Sequence, residues 1–254
     1  MDELTPCVSL IFGLIAFLTV FTFHKAAGAS TSVGIALLFW VTLQSVLSAS
    51  GFYKTTDTIT LKLSLVTLLP LFLLVWLFSA RPGKAFLDSM DMHLLTVIHV
   101  VRAPMEVILY WLFVYGIVPA EMTIEGGNLN IVAGLTAPLI YYFGVLQGKI
   151  KWQLMVSWNL ISLGLLVNVV LKSTLMTPFL FQNFAFEQPV VSAFYPPFVL
   201  LPAVIAPVII CAHLAAIRSL IKTNFDQVKA PIGERLILKQ LMIKSLSSHA
   251  KHRN

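Results

Sequence analysis

The stretch IHVVRAPMEVILYWLF, residues 98–113, sets His99, Arg102 and Glu106 inside a run otherwise apolar enough to lie in lipid. At 100° per residue, His99, Arg102, Glu106 and Tyr110 fall within about 80° of arc, with Ala103 among them and Thr96 at the edge, so a helix here carries one polar stripe. An Arg or Asp at the centre of a membrane span costs about 2.5–3.5 kcal/mol even on the most lenient insertion scale. The stripe is therefore expected to face a bundle interior, with lipid on the opposite side. Arg102 and Glu106 stand at i and i+4, close enough to pair, although base before acid is the less favourable order on a helix. Pro104, between them, cannot donate to the carbonyl of Val100, so the spacing predicts a kink that leaves that oxygen for a neighbour or a guest.

Working outward, the rest of the chain has the same character. Of its 254 residues 58 % are apolar and 11 % charged, with a mean hydropathy of +0.88, whereas about a quarter of the residues of a soluble domain are charged. That excludes a soluble domain. Apolar runs at 7–23, 33–49, 59–80, 94–118, 129–146, 152–171 and 197–217 approach the roughly 20 residues a span requires. The predicted fold is all-α: a polytopic membrane bundle of seven transmembrane helices over residues 1–217, then a basic tail over 218–254. The second and fifth runs are the shortest and carry several small or polar residues.

Charge sets the expected orientation, because cytoplasmic loops near span ends hold the excess of Lys and Arg. The tail has eight bases, from Arg218 to Arg253, against Asp226 and Glu234 alone. Lys149 and Lys151, Lys25, and the pair Arg81 and Lys84 fall on the same side, while the segment 119–128 has no base. This predicts the N-terminus outside and the C-terminus in the cytoplasm, with Lys54 and Lys62 running against the pattern. Asp2 and Glu3 precede the first run in place of a basic n-region, so no cleaved signal peptide is expected. Cys7 and Cys211 are expected near opposite faces of the membrane, too far apart for a disulfide. The whole net charge of +6 resides in the tail, which points to anionic inner-leaflet lipids and does not call for nucleic acid. Within that tail, residues 234–246 alternate basic and apolar side chains as a surface helix does. The outer loop before the last run, rich in Phe179, Phe181, Phe184, Phe186, Phe194 and Tyr195, suits the membrane interface and offers a face to a protein partner.

Other runs supply candidate partners for the stripe at similar depth: Asn159 and Trp158 on the sixth, Tyr141 and Tyr142 on the fifth, His213 on the seventh. Asn130, Gly134, Ala137 and Tyr141 share a face whose small residues permit close helix approach. Asn159 and Asn168 are half a turn apart, so only one of them faces the centre. The candidate ligand- or ion-binding set is His99, Arg102, Glu106, Tyr110, Tyr141, Asn159 and His213, with no catalytic or metal residues assigned. A retinal protein is excluded because 197–217 has no lysine. A zinc hydrolase is disfavoured because Ile217, one turn after His213, breaks the histidine pair it needs. A haem between His99 and His213 is a further option. No phosphate-cradling glycine pattern, internal repeat or nucleophile spacing is present.

The pattern HxxR with Glu106 and YWLF (99–113), VPxxMTxEGxN (118–128), WN (158–159), FxFxQP (184–189) and HLxxIR (213–218) resembles an uncharacterised family of bacterial seven-helix membrane proteins, over residues 93–220. The resemblance implies placement in the bacterial inner membrane and brings no activity, substrate or cofactor with it. Three functions are therefore expected as alternatives: a polar pocket that opens toward the cytoplasmic half and binds or passes a small solute, ion or proton; a membrane-embedded enzyme acting on a lipid or a quinone-like molecule; or a scaffold subunit of an envelope complex.

Overall fold

A computed structural model describes residues 4–53, 59–175 and 196–229. The aromatic outer loop, Lys54, the acidic start and the 234–246 segment lie outside the described residues. Among those described, every regular element is helical: α1 (Leu4–Ala26), α2 (Thr31–Ala49), α3 (Ile59–Ser79), α4 (Arg81–Asp88), α5 (Met92–Val97), α6 (Arg102–Val114), α7 (Asn130–Leu139), α8 (Trp152–Leu175) and α9 (Ala206–Lys229), with short 3₁₀ and π turns between them. Among the described residues five helical stretches are long and apolar enough to cross a membrane: Pro6–Ala26, Thr31–Ala49, Met92–Val114, Trp152–Ser173 and Leu201–Phe225. They coincide with the first, second, fourth, sixth and seventh apolar runs. The third corresponds to α3, which runs through Pro70, and the fifth to the shorter apolar stretch Asn130–Leu146. This is the make-up of a multi-pass helical membrane protein, since only helices and closed barrels satisfy their own backbone in lipid.

The surface agrees. Leu10, Leu38, Phe39, Phe72, Val75 and Ile161 are all well exposed, which water would penalise and acyl chains do not. Charge collects at one end of the bundle. There the Asp91 N–H donates to the Ala26 carbonyl at 2.9 Å, and Asp88 accepts from Arg218 Nε at 2.7 Å and from Lys222 Nζ at 2.7 Å. This clasp ties α4 to the end of α9. Asp91 also starts α5, its carboxylate accepting from the His93 N–H at 2.7 Å.

Three helical stretches depart from regular α-winding beside a proline. The fourth span reads as α5, a 3₁₀ turn over Ile98–Val101, then α6, which opens with Arg102, Ala103 and Pro104. The missing N–H of Pro104 is met by tightening the turn before it. After Pro138 the chain widens into a π turn, Ile140–Leu146. A second π turn, Leu201–Ile205, contains Pro202 and precedes α9. Pro207 has no N–H for the preceding turn, and the Ala203 carbonyl four residues back instead accepts from Trp40 Nε1 at 2.9 Å. Pro70 lies within α3, where it is buried.

Candidate functional site

The 3₁₀ turn decides which residues of the stripe meet. At three residues per turn, side chains i and i+3 eclipse, so His99 lies directly over Arg102, where α-helical winding would leave it about 60° off. Beyond Arg102 the chain is α-helical, and Tyr110, eight residues on, has rotated about 80° away. His99 is 0 % exposed, Arg102 3 % and Glu106 7 %, whereas Tyr110 is 39 % exposed and rests near the Phe113 ring. Tyr110 is thus no part of the interior site.

Arg102 points across the bundle. Its Nη1 donates to His213 Nε2 at 3.0 Å, and its Nη2 donates to the Ser162 carbonyl at 2.9 Å and to Asn130 Oδ1. The expected direct pair with Glu106 does not form; no ion pair links the two. Asn130 stands between them, its Oδ1 facing the guanidinium and its Nδ2 donating to Glu106 Oε1 at 2.8 Å. Asn128 Nδ2 completes the carboxylate by donating to Oε2 at 2.6 Å, and donates also to the Met122 carbonyl at 2.8 Å. An amide turned this way spreads the attraction over two charge-assisted hydrogen bonds. Buried charges survive only with their shells filled, and here the fill comes from the start of α7.

The route by which α7 reaches the site is visible in two glycines. A Cβ on Gly134 would sit 2.4 Å from the Ala103 nitrogen, so only glycine lets α7 lie against the fourth span beside Pro104. A Cβ on Gly126 would sit 2.2 Å from the Glu121 Cα. That glycine permits the tight turn closing segment 119–128, whose Asn128 Oδ1 accepts from the Asn130 N–H at 2.9 Å and holds both amides toward Glu106. Lys172 Nζ, from the far end of α8, caps the same turn through the Gly126 carbonyl at 2.7 Å.

On the other side of Arg102 stand two histidines. His213 Nε2 faces a guanidinium, which only donates, so that nitrogen accepts. Its Nδ1 lies 2.9 Å from Asn159 Oδ1, and Asn159 Nδ2 is turned away to the Met155 carbonyl at 2.9 Å. This is the neutral Nδ1–H tautomer, fixed from both sides. Asn168 is exposed, so Asn159 is the inward one of that pair. The His99 ring stacks on His213 with centroids 3.7 Å apart and planes 14° apart, and Trp158 meets its edge at 5.5 Å. That stack leaves no space for a haem plane between the rings, so the two histidines do not form an axial pair in this arrangement. Neither ring nitrogen of His99 has a hydrogen-bond partner among the described residues, and neither has Arg102 Nε.

Tyr141 is the second departure. The π turn after Pro138 changes the helical phase there, and its half-buried ring lies 6.1 Å from His93 toward the basic end instead of joining the network. Of the seven candidates, the structure brings together His99, Arg102, Glu106, Asn159 and His213, and leaves out Tyr110 and Tyr141. It adds Asn128, Asn130 and the Ser162 carbonyl. Asn130 sat on the face already singled out with Gly134 and Ala137, which was the available signal; Asn128 closes the VPxxMTxEGxN segment but stands outside the apolar runs, where no helical face assigns it to the interior. A bundle interior that gathers six polar side chains from four helical stretches, with Asn128 from the turn before α7, can hold charge, hold a fixed tautomer and offer hydrogen-bonding atoms at His99. Among the described residues no group of His, Cys, Asp and Glu is gathered to hold a metal ion. Compared with family models, curated proteins and solved structures, the chain matches none.

Proposed function

We propose that the protein is a multi-pass bacterial inner-membrane protein that binds or passes a proton or a small hydrogen-bonding solute at His99, within a charge-balanced frame made by Arg102 and Glu106. A cytoplasmic C-terminus is part of this reading, supported by the bases Arg218 and Lys222 that meet Asp88 and by the excess of Lys and Arg that follows them. One observation carries the functional reading: His99 is wholly buried, yet both its ring nitrogens lack a partner among the described residues. A buried polar group left unpaired costs about 1–3 kcal/mol, and such groups concentrate where function requires them. Beside His99, only Arg102 Nε shares this lack within the network. Both oxygens of Glu106 and both terminal nitrogens of Arg102 are engaged, so no oxygen cage is open for a metal cation. An imidazole offers one nitrogen that accepts and one that donates, so it can bind a solute or relay a proton through the same ring. The frame keeps the adjacent guanidinium from demanding an anion of its own.

A reaction on a lipid or quinone-like molecule needs a lateral opening beside His99, and the complete burial of that ring gives this reading no support. A scaffold role has one observation in its favour, the engagement of both Glu106 oxygens and both Arg102 terminal nitrogens by neighbouring helices. Reconstitution separates the two remaining cases. Liposomes containing the purified chain and a pH-sensitive dye are expected to dissipate an imposed pH gradient faster than empty ones. His99→Phe, which keeps the stack on His213 and removes both nitrogens, is expected to abolish the difference with an unchanged melting temperature. No flux above empty liposomes, together with no small molecule held by the wild type and lost by His99→Phe in native mass spectrometry, overturns the proposal in favour of the scaffold.

A further inference from the structure

Away from the buried network, a groove of about 320 Å³ runs between α1, α2 and the π turn before α9, with Gly13, Phe17, Phe21, His24, Leu38 and Val204 among its walls. This is at the small end of ligand-sized pockets, about 300–1,000 Å³. Its wall is apolar except at one end. Phe17, Phe21 and Leu38 are exposed, so the groove opens on the side that faces lipid. Gly13 and His24 mark its ends on α1, eleven residues apart, or about 16 Å at 1.5 Å per residue. That is close to the depth of one leaflet, about 15 Å for a hydrocarbon core of 30 Å.

The polar end is also the basic end. His24 Nδ1 is buried without a partner among the described residues. Beside it Lys25 Nζ lies 5.7 Å from the centroid of the Phe21 ring, which lines the groove, holding an ammonium at the mouth. The next residue, Ala26, accepts through its carbonyl from the Asp91 N–H at 2.9 Å. An occupant suited to this shape has an apolar chain about one leaflet long and a negatively charged, hydrogen-bonding head.

We propose that the groove holds one acyl chain of an anionic phospholipid, with the phosphate between His24 and Lys25. The inference does not depend on the reading of His99. The test is native mass spectrometry of the full chain purified in detergent and offered phosphatidylglycerol or phosphatidylcholine of matched acyl chains. The wild type is expected to retain a single phosphatidylglycerol, with a preference of about five- to tenfold over phosphatidylcholine. A Cβ on Gly13 meets nothing within 4 Å, so Gly13→Phe fills the groove without moving backbone, and is expected to lose the lipid at an unchanged melting temperature. Lys25→Gln, on an exposed side chain, is expected to keep a lipid but lose the preference. Equal retention of both lipids by the wild type overturns the proposal. So does retention of phosphatidylglycerol by a folded Gly13→Phe, or displacement of the lipid by an isoprenoid quinone.

Discussion

Replacing Arg102 with Met removes the guanidinium at nearly constant length and leaves four groups stranded. His213 Nε2, Asn130 Oδ1 and the Ser162 carbonyl lose their donor, and Glu106 loses the only cation in the network. Breaking one side of a buried charged pair costs about 3–5 kcal/mol, because the remaining charge stays buried and uncompensated. At 1.36 kcal/mol per decade this is roughly a hundred- to several-thousand-fold fall in the folded-to-unfolded ratio. Glu106→Gln retains one acceptor for Asn128 or Asn130 and removes the charge, so the double variant Arg102→Met with Glu106→Gln is expected to recover at least about 1 kcal/mol relative to Arg102→Met alone. The assay is equilibrium unfolding of the four proteins of the cycle in one detergent, read by tryptophan fluorescence. If Arg102→Met costs less than about 0.5 kcal/mol, the size expected of an incidental surface substitution, or if the two changes add without coupling, the Asn130-bridged network is not what holds the charges.

Three further outcomes are expected. Gly134→Val drives a side chain into the Ala103 backbone, and melting curves should show the about 1–3 kcal/mol loss typical of overpacking. Trp40→Phe strands the Ala203 carbonyl at a cost of about 1–3 kcal/mol, and the cost should shrink in a Pro207→Ala background, which restores an N–H nearby. The Arg218 guanidinium beside Asp88 holds that carboxyl below its ordinary value of 3.8, with Lys222 adding to it and burial opposing it. A lowered carboxylate contributes stability that is complete above the ordinary value and lost as pH falls through the lowered one. Unfolding measured from pH 7 to pH 3 should therefore show Asp88→Asn less stable by about 0.2–1 kcal/mol at pH 7 and the gap closing at the acid end.

Much of the helical layout is written in apolar run length, which is why five of the expected spans return as helices, four of them with nearly the expected limits and the seventh running past residue 217 to Phe225. The interior stripe was legible as well, because charged residues at helical spacing in an apolar run have only one tolerable direction to face. Its membership was not. The prediction assumed one uniform winding, and prolines make the chain change winding where the site is built: a tight turn at Ile98–Val101 brings His99 over Arg102, and a wide one at Ile140–Leu146 carries Tyr141 elsewhere. The bridging role of Asn130 was hidden for another reason. Glu106 and Arg102 are neighbours along one helix, so their proximity invited a direct pair, and although the face of Asn130 and Gly134 announced a close helix approach, linear spacing does not show that the helix approached is the fourth, at Ala103.

Nitrogen-15 solid-state NMR of the histidine-labelled chain in bilayers tests the central claim most directly. The account predicts that His213 is the neutral Nδ1–H tautomer, its two nitrogens correlating with Arg102 and Asn159, while the His99 nitrogens correlate with water or an added solute and with no protein donor or acceptor. An Nε2–H or doubly protonated His213, or a His99 nitrogen bonded to another side chain, contradicts it.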